Sequence, residues 1–392
     1  MEATPNWLSK QIIYHILIDR FNGYDTKKDS TKPDFIGGNI QGIIDKIDYL
    51  KELGITTIWI SPFTKSSAYH GYHITDFYSV DPHFGSETDL KLLIHTCHHN
   101  NIKIIADFVP NHCSNTHPYF IEAQHNPKSP YKDWFIFTKY PHKYKRFLSI
   151  DQLPKLNLNN PETRQHIINA AKKWQSLGLD GYRLDHVIGP HKKFWKHFSE
   201  ELKKNNPNFI LLGEAWMMGI RWTELSTINI AYKHLRWLFA KKPDSLYKDY
   251  QHIFDGCLDF YVQQLLSQYG NGFLTTAWMH RHIRKHYNRF KADYYLPSFL
   301  DNHDMDRILF QLGNNKNTLK TLAYLQFNLP QPPIIYYGTE QAMSQEKSMW
   351  DLSSHGDLLA RQPMPWNKKE NDVYEFYKEL IRKRKEMIEE ID

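Results

Sequence analysis

The chain alternates repeatedly between short apolar runs of strand character and longer stretches with helical spacing, and this alternation restricts its fold more than any other feature. Strand candidates fall at residues 12–18, 56–60, 102–109, 182–184, 209–216, 256–262, 294–300 and 333–337. Helical spacing is found at residues 39–53, 87–100, 161–177, 191–205, 276–290, 318–327 and 373–391. In the first of these, Ile40, Ile43, Ile44, Ile47 and Leu50 fall on one face, and Gly54 stops the run. Asn160 before Pro161 reads as a helix cap. Eight strands alternating with helices make an α/β chain with the count of a (β/α)8, or TIM, barrel. The competing architecture is an open doubly wound sheet, which calls for a glycine-rich phosphate turn after the first strand. Arg20-Phe21-Asn22-Gly23 does not supply one.

The stretch between Pro110 and Asn160 breaks the alternation and is rich in Pro, aromatics and polar groups. It reads as a small irregular domain inserted after the third strand. The barrel is then built from residues 1–109 and 161–392, and the inserted domain from residues 110–160. A length of 392 residues with 41% hydrophobic content suits one barrel carrying such an insertion. Aromatic content of 15% suits either an aromatic-rich core or a cleft whose flat rings stack on sugars.

Charge and cysteines narrow the classes further. A net charge of +6 is small beside 49 basic and 43 acidic residues. The basic runs at residues 142–146, 280–291 and 382–385 therefore read as solvated faces, and no nucleic-acid partner is expected. Three cysteines without a Cys-x-x-Cys pair make no disulfide framework. His95, Cys97, His98 and His99 lie together on one helix, with no partner cluster for a zinc site. No signal peptide and no membrane span is visible, so a cytoplasmic protein is expected.

Charged and polar residues recur where strands end. Asp107 to His112 follow the third strand, Arg183 and Asp185 end the fourth, Glu214 ends the fifth, and His303 and Asp304 follow the seventh. Residues i and i+2 of a strand share a face, so Arg183 and Asp185 point the same way. In a barrel this rim is where chemistry sits. Taken singly, each residue could be a cap, a loop charge or a structural ion pair. Together they bring carboxylates, a guanidinium and imidazoles to one rim, where like charges repel and are costly without partners. Paired carboxylates suit glycoside hydrolysis, one as nucleophile and one as proton donor.

The segments resemble the α-amylase family of glycoside hydrolases, family 13. The resemblance rests on Asp107-Phe108-Val109-Pro110-Asn111-His112, Gly181-Tyr182-Arg183-Leu184-Asp185, Gly213-Glu214-Ala215-Trp216 and Phe299-Leu300-Asp301-Asn302-His303-Asp304. Supporting segments are Leu153-Pro154-Lys155-Leu156-Asn157, Tyr336-Tyr337-Gly338 before Glu340, Arg361 before Pro363-Met364-Pro365-Trp366, and Ser129 to Trp134. The resemblance implies Asp185 as nucleophile, Glu214 as general acid/base and Asp304 as a third carboxylate stabilising a distorted sugar. It implies that Arg183 orients Asp185 and that Asp107 supports the site. His112 and His303 would hydrogen-bond sugar hydroxyls, Tyr72 would stack on the ring being cleaved, Arg307 would line the site and His70 would touch substrate.

The implied activity is retaining cleavage of internal α-1,4 bonds in maltodextrin or starch-like glucans. Tyr69-His70-Gly71-Tyr72 resembles the endo-acting members; exo-acting ones carry Asp-Asn-Gly-Tyr. The segment around Lys155 instead resembles the neopullulanase and cyclomaltodextrinase branch. A glucanotransferase on the same scaffold and an inactive glucan-binding subunit are the alternatives. Many members bind a structural calcium, and Asn111 matches one ligand. Lys155 and Gly189 replace others, and an ammonium repels calcium. No metal and no required cofactor are therefore expected. His186 follows the nucleophile and reads as a loop cap or as a wall on the leaving-group side. The family's C-terminal β-sandwich is expected to be absent from this chain, and the protein to be a monomer or homodimer.

Overall fold

The computed structural model describes residues 6–148, 150–216, 243–351, 356–366 and 372–390; residue 391, the expected end of the last helix, lies outside them. Eight short strands form one sheet: β1 (Ile13–Ile16), β2 (Thr57–Ile60), β3 (Lys103–Phe108), β4 (Gly181–Leu184), β5 (Ile210–Gly213), β6 (Gly256–Cys257), β7 (Ser298–Phe299) and β8 (Pro333–Tyr336). Their order is β6-β5-β4-β3-β2-β1-β8-β7, and every pairing is parallel. The two ends of this order meet where Cys257 N donates to Tyr295 O at 3.1 Å and Tyr295 N donates to Asp255 O at 2.9 Å. The sheet thus curls into the (β/α)8 barrel that the alternation implied.

Both faces of each strand are covered, which explains why the strands read as continuous apolar runs. One face meets the helices, where Tyr14, Ile16, Ile58, Ile104 and Tyr182 belong to the larger core. The other face fills the barrel, where Ile13, Trp59, Ile105, Ile210, Leu212 and Ile334 pack together. The two-residue period then places the polar members of the inner face. Ile105 is followed inward by Asp107, Leu212 by Glu214, and Gly181 by Arg183 and Asp185. Gly181 permits the strands to close around them. A Cβ there would fall 2.5 Å from the Ile210 carbonyl oxygen on β5.

Several boundaries differ from the sequence reading. Ile18 begins a helical turn, Ile18–Phe21, instead of ending the first strand. The helix at 39–53 is two helices, Ile40–Ile44 and Ile47–Leu53. The sixth strand stops at Cys257, because Asp259 caps the helix Phe260–Gly270 by accepting from Val262 N at 3.1 Å. That capping carboxylate draws Phe260 to Val262 into a helix, against their strand propensity. The seventh strand is confined to Ser298–Phe299.

Between β3 and the helix Pro161–Ser176 lie a helix at Pro118–His125, a short 3-10 turn at Lys132–Trp134 and a hairpin pairing Phe137–Lys139 with Lys143–Tyr144. Bridges from His112 to Lys155 and from Phe135 to Leu156 tie the beginning and the middle of this stretch to its end. A second hairpin, Thr64–Ser66 with Ile74–Val80, follows β2 and carries His70-Gly71-Tyr72 at its turn. Gly71 has φ +86°, and a Cβ there would lie 2.1 Å from the Pro62 carbonyl oxygen, so no other residue fits this turn unstrained. Among the described residues, no helix is long and apolar enough to cross a membrane.

Candidate active site

Arg183 is the hub. Its side chain is wholly enclosed, and the parallel register sets it directly beside Asp107 on the neighbouring strand. Nη1 donates to Asp107 Oδ1 at 2.7 Å and to Asp185 Oδ1 at 3.0 Å. Nη2 forms an ion pair with Glu214 Oε1. One guanidinium therefore faces three buried carboxylates from three successive strands. Burial works against the Arg183 cation, yet Asp107, Glu214 and Asp185 hold its pKa well above the usual value.

The carboxylates cannot all ionise cheaply around one cation. Burial pushes Asp185 well up and raises Asp107, with Arg183 opposing both shifts. Burial also pushes Glu214 up to about 7, against the pull of Arg183 and with the help of Asp304 and Asp107. The Glu214 proton is thus available near neutrality, as a general acid requires. Backbone contacts hold this residue, among them its own N–H donating to the Leu184 carbonyl at 2.9 Å. Its Oε2 accepts from His186 N at 3.0 Å, and its own carbonyl accepts from Val187 N at 3.1 Å. His186 reaches that geometry with φ +47°, in the left-handed region. Asp185 is anchored through its N–H to the Phe108 carbonyl at 3.0 Å, and its Oδ2 has no partner among the described residues.

A second group lies beside this hub. Asp304 Oδ1 accepts from Arg361 Nη2 at 2.9 Å, and Arg361 Nε also donates to the His303 carbonyl at 2.7 Å. Tyr72 links the two groups. Its hydroxyl donates to Asp107 Oδ2 at 2.7 Å and lies 2.7 Å from His303 Nε2, which is 3.2 Å from Asp304 Oδ2. The Tyr72 proton goes to Asp107, so His303 carries its hydrogen on Nε2 and leaves Nδ1 bare. Burial, with Arg361 and Arg183 nearby, holds His303 well below the usual histidine range, so it stays neutral.

The remaining expected residues are placed as follows. His112 is buried, stacks on Phe147 at 4.5 Å and leaves Nε2 without a partner among the described residues; burial pushes it down to about 3. Phe147 in turn meets the His186 ring edge-on at 4.6 Å, so His186 joins a wall formed by the inserted stretch. His70 Nδ1 accepts from Tyr72 N at 3.2 Å and so braces the turn. The Tyr72 ring lies parallel to that of His303, with centroids 5.2 Å apart. Arg307 differs from the expectation that it lines the site. It is fully buried, and it donates through Nη1 to the Tyr337 carbonyl at 2.6 Å and through Nε to the Ala360 carbonyl at 2.8 Å. Those two carbonyls take the guanidinium into the loop packing.

Three residues of this region had no role in the sequence reading. Arg361 fixes Asp304. Trp59 donates to Asp107 through Nε1 at 3.3 Å and lies under the Arg183 guanidinium at 5.5 Å. His15 stacks on Trp59 at 3.6 Å and 8°, fully buried and neutral, with neither ring nitrogen bonded to a described residue. The two-residue spacing of Ile13 and His15 was the signal that could have placed His15 on the inner face.

A calcium between barrel and inserted stretch does not fit these residues. Lys155 Nζ donates to the Gly189 carbonyl at 2.8 Å, and Asn111 Oδ1 lies close to Gly189, within 2.3 Å of where a Cβ would stand. The ammonium holds the carbonyl that a hard cation would need, and it would repel that cation. His98 is also taken, since its Nε2 lies 2.7 Å from Asp180 Oδ2. No group of three or more His, Cys, Asp or Glu suited to a metal occurs among the described residues.

Comparison with known proteins agrees with this geometry. The family model described as alpha amylase, catalytic domain, matches residues 15–387. "Alpha-amylase 2" of Dictyoglomus thermophilum is 35% identical over 394 residues, covering 97% of this chain and 64% of that protein. A cyclomaltodextrinase of Thermoanaerobacter pseudethanolicus is 32% identical, covering 97% of this chain and 65% of that protein. The chain therefore spans just under two thirds of the length of these relatives. The structure of an alpha-amylase from Geobacillus thermoleovorans complexed with acarbose aligns with a TM-score of 0.80 at 31% identity, covering 98% of this chain and 80% of that one. With the match running through every strand that supplies the site, the chain belongs to the alpha-amylase family of glycoside hydrolases.

Proposed function

We propose that this chain hydrolyses internal α-1,4 bonds of maltodextrin-like glucans with retention of configuration. The observation that carries this reading is the placement of Asp185 and Glu214 on the two nitrogens of one guanidinium, with Asp185 Oδ2 left free. That arrangement favours the close spacing of a retaining pair, about 5–5.5 Å, over the wider spacing of an inverting pair. Asp185 Oδ2 attacks the anomeric carbon, while Glu214 gives its proton to the departing glycosidic oxygen. The bond to the leaving chain breaks, and a glycosyl ester forms on Asp185. Glu214, now ionised, takes a proton from water, whose oxygen attacks the same carbon and releases Asp185. Arg183 offsets the charge on Asp185 throughout. Asp304, held by Arg361, receives sugar hydroxyls and favours the flattened ring. No calcium enters this scheme, and the Lys155 ammonium bridges the position.

The test follows the anomeric proton by NMR during hydrolysis of a maltooligosaccharide by wild type, Asp185→Asn and Glu214→Gln. Retention predicts that the α-anomer appears first and that both variants lose activity by several orders of magnitude. First appearance of the β-anomer, or wild-type activity in Asp185→Asn, refutes the mechanism. The similarity to a cyclomaltodextrinase favours a second reading, with cyclic dextrins opened on the same scaffold. Rates on cyclomaltodextrin against linear maltooligosaccharide of equal length separate the two, and products longer than the substrate reveal transfer.

A further inference from the structure

We infer that Trp350 is a stacking platform for a distal sugar of the bound chain, and so a determinant of chain-length preference; this rests on the glucan reading above. Trp350 follows β8, at the barrel end that carries Asp185, Glu214 and Asp304, and the residue is 65% exposed. An indole this exposed gains little from the core, and its position is set by what holds the loop. The loop is pinned firmly. Asp306, two residues beyond Asp304, accepts from Ser348 Oγ at 2.7 Å and from Met349 N at 2.7 Å. Gln345 bonds Asp306 Oδ1 at 2.6 Å and accepts from Arg307 N at 2.7 Å. Trp350 N itself donates to Ser348 Oγ at 3.2 Å.

Further along the chain, Asp357 pairs with Arg361, and Arg361 holds Asp304. The segment leading to Trp350 is therefore tied to Asp306, two residues beyond Asp304, and the residues Asp357 and Arg361 are tied to Asp304 itself. An exposed aromatic face on a pinned rim loop loses little conformational entropy when it receives a flat apolar partner. In a glucan cleft that partner is the C–H face of a pyranose ring some units away from the bond being cut. Such a platform acts on long chains and leaves short ones untouched.

The experiment compares wild type with Trp350→Ala and Trp350→Phe on maltoheptaose and on a short chromogenic α-maltoside. Trp350→Ala is expected to raise KM for maltoheptaose about tenfold, with Trp350→Phe closer to wild type and the short substrate unchanged. Calorimetric binding of maltoheptaose to Glu214→Gln, with and without Trp350→Ala, reads the same contact without turnover. Equal binding by the single and double variants, or an equal loss on both substrates, overturns the role of Trp350 alone. Failure of Glu214→Gln to bind maltoheptaose, together with a wild type inert on every α-glucan, overturns the glucan reading and this inference with it.

Discussion

Replacing Arg183 with Met should expose how the buried charge of the site is balanced. The side chain is fully enclosed, and it meets Asp107 and Asp185 at 2.7 and 3.0 Å and Glu214 in an ion pair. Methionine fills similar space but returns no charge, leaving three carboxyls together in a low dielectric. Removing one partner of a buried ion pair costs about 3–5 kcal/mol, a large part of a total stability of about 5–15 kcal/mol. At roughly 2 °C per kcal/mol for a large domain, the melting temperature should fall by about 6–10 °C.

The deficit should depend on pH, and its sign follows from the shifts. Burial already raises Asp185, Asp107 and Glu214 above their unfolded values, and loss of Arg183 raises them further. The folded variant then binds more protons than the unfolded chain, so its stability falls as pH rises. Scanning calorimetry at pH 5 and pH 8 should show a small deficit at the lower pH and the full one at the higher. A deficit equal at both values, or below about 1 kcal/mol at pH 8, refutes the claim that this guanidinium balances the carboxylates. Arg183→Lys should recover part of the stability but little activity, because one ammonium cannot reach three carboxyls in fixed directions.

Four further outcomes follow. The turnover rate should fall as pH passes about 7, the point to which burial raises Glu214, because its proton is needed for the leaving oxygen; an alkaline limb unchanged in Glu214→Gln sinks that assignment. The same residue should contribute stability below its unfolded pKa that is lost as pH rises to about 7. Lys155→Met should cost about 1.5–3 kcal/mol through the lost bond to the Gly189 carbonyl, while chelator leaves the wild-type melting temperature unchanged; a large drop on chelation contradicts the bridging role of Lys155. Gly181→Ala should cost about 1–3 kcal/mol or more, since its methyl would press on the Ile210 carbonyl at 2.5 Å; denaturant titration with wild-type stability refutes the close approach of β4 and β5.

The alternation of elements was legible because it is written in local periods. Continuous apolar runs belong to strands covered on both faces, and Ile40, Ile43, Ile47 and Leu50 mark the buried faces of two consecutive helices. Boundaries were less legible where a single contact decided them. Phe260 to Val262 read as strand, but the Asp259 carboxylate starts a helix there. The hairpin that delivers Tyr72 was missed because its strands are held by pairing with each other, not by a pattern of their own.

The site divides in the same way. The inward alternation along β3, β4 and β5 by itself aimed Asp107, Arg183, Asp185 and Glu214 at one end of the barrel, since a strand's two-residue period and its end are local properties. Only the tertiary structure decided which groups touch. Arg361 holds Asp304 from 57 residues away, Trp59 reaches Asp107 across 48, and Arg307 turns to the carbonyls of Tyr337 and Ala360 instead of the cleft. Those pairings depend on barrel closure and loop packing, which bring together side chains that no period along the chain relates.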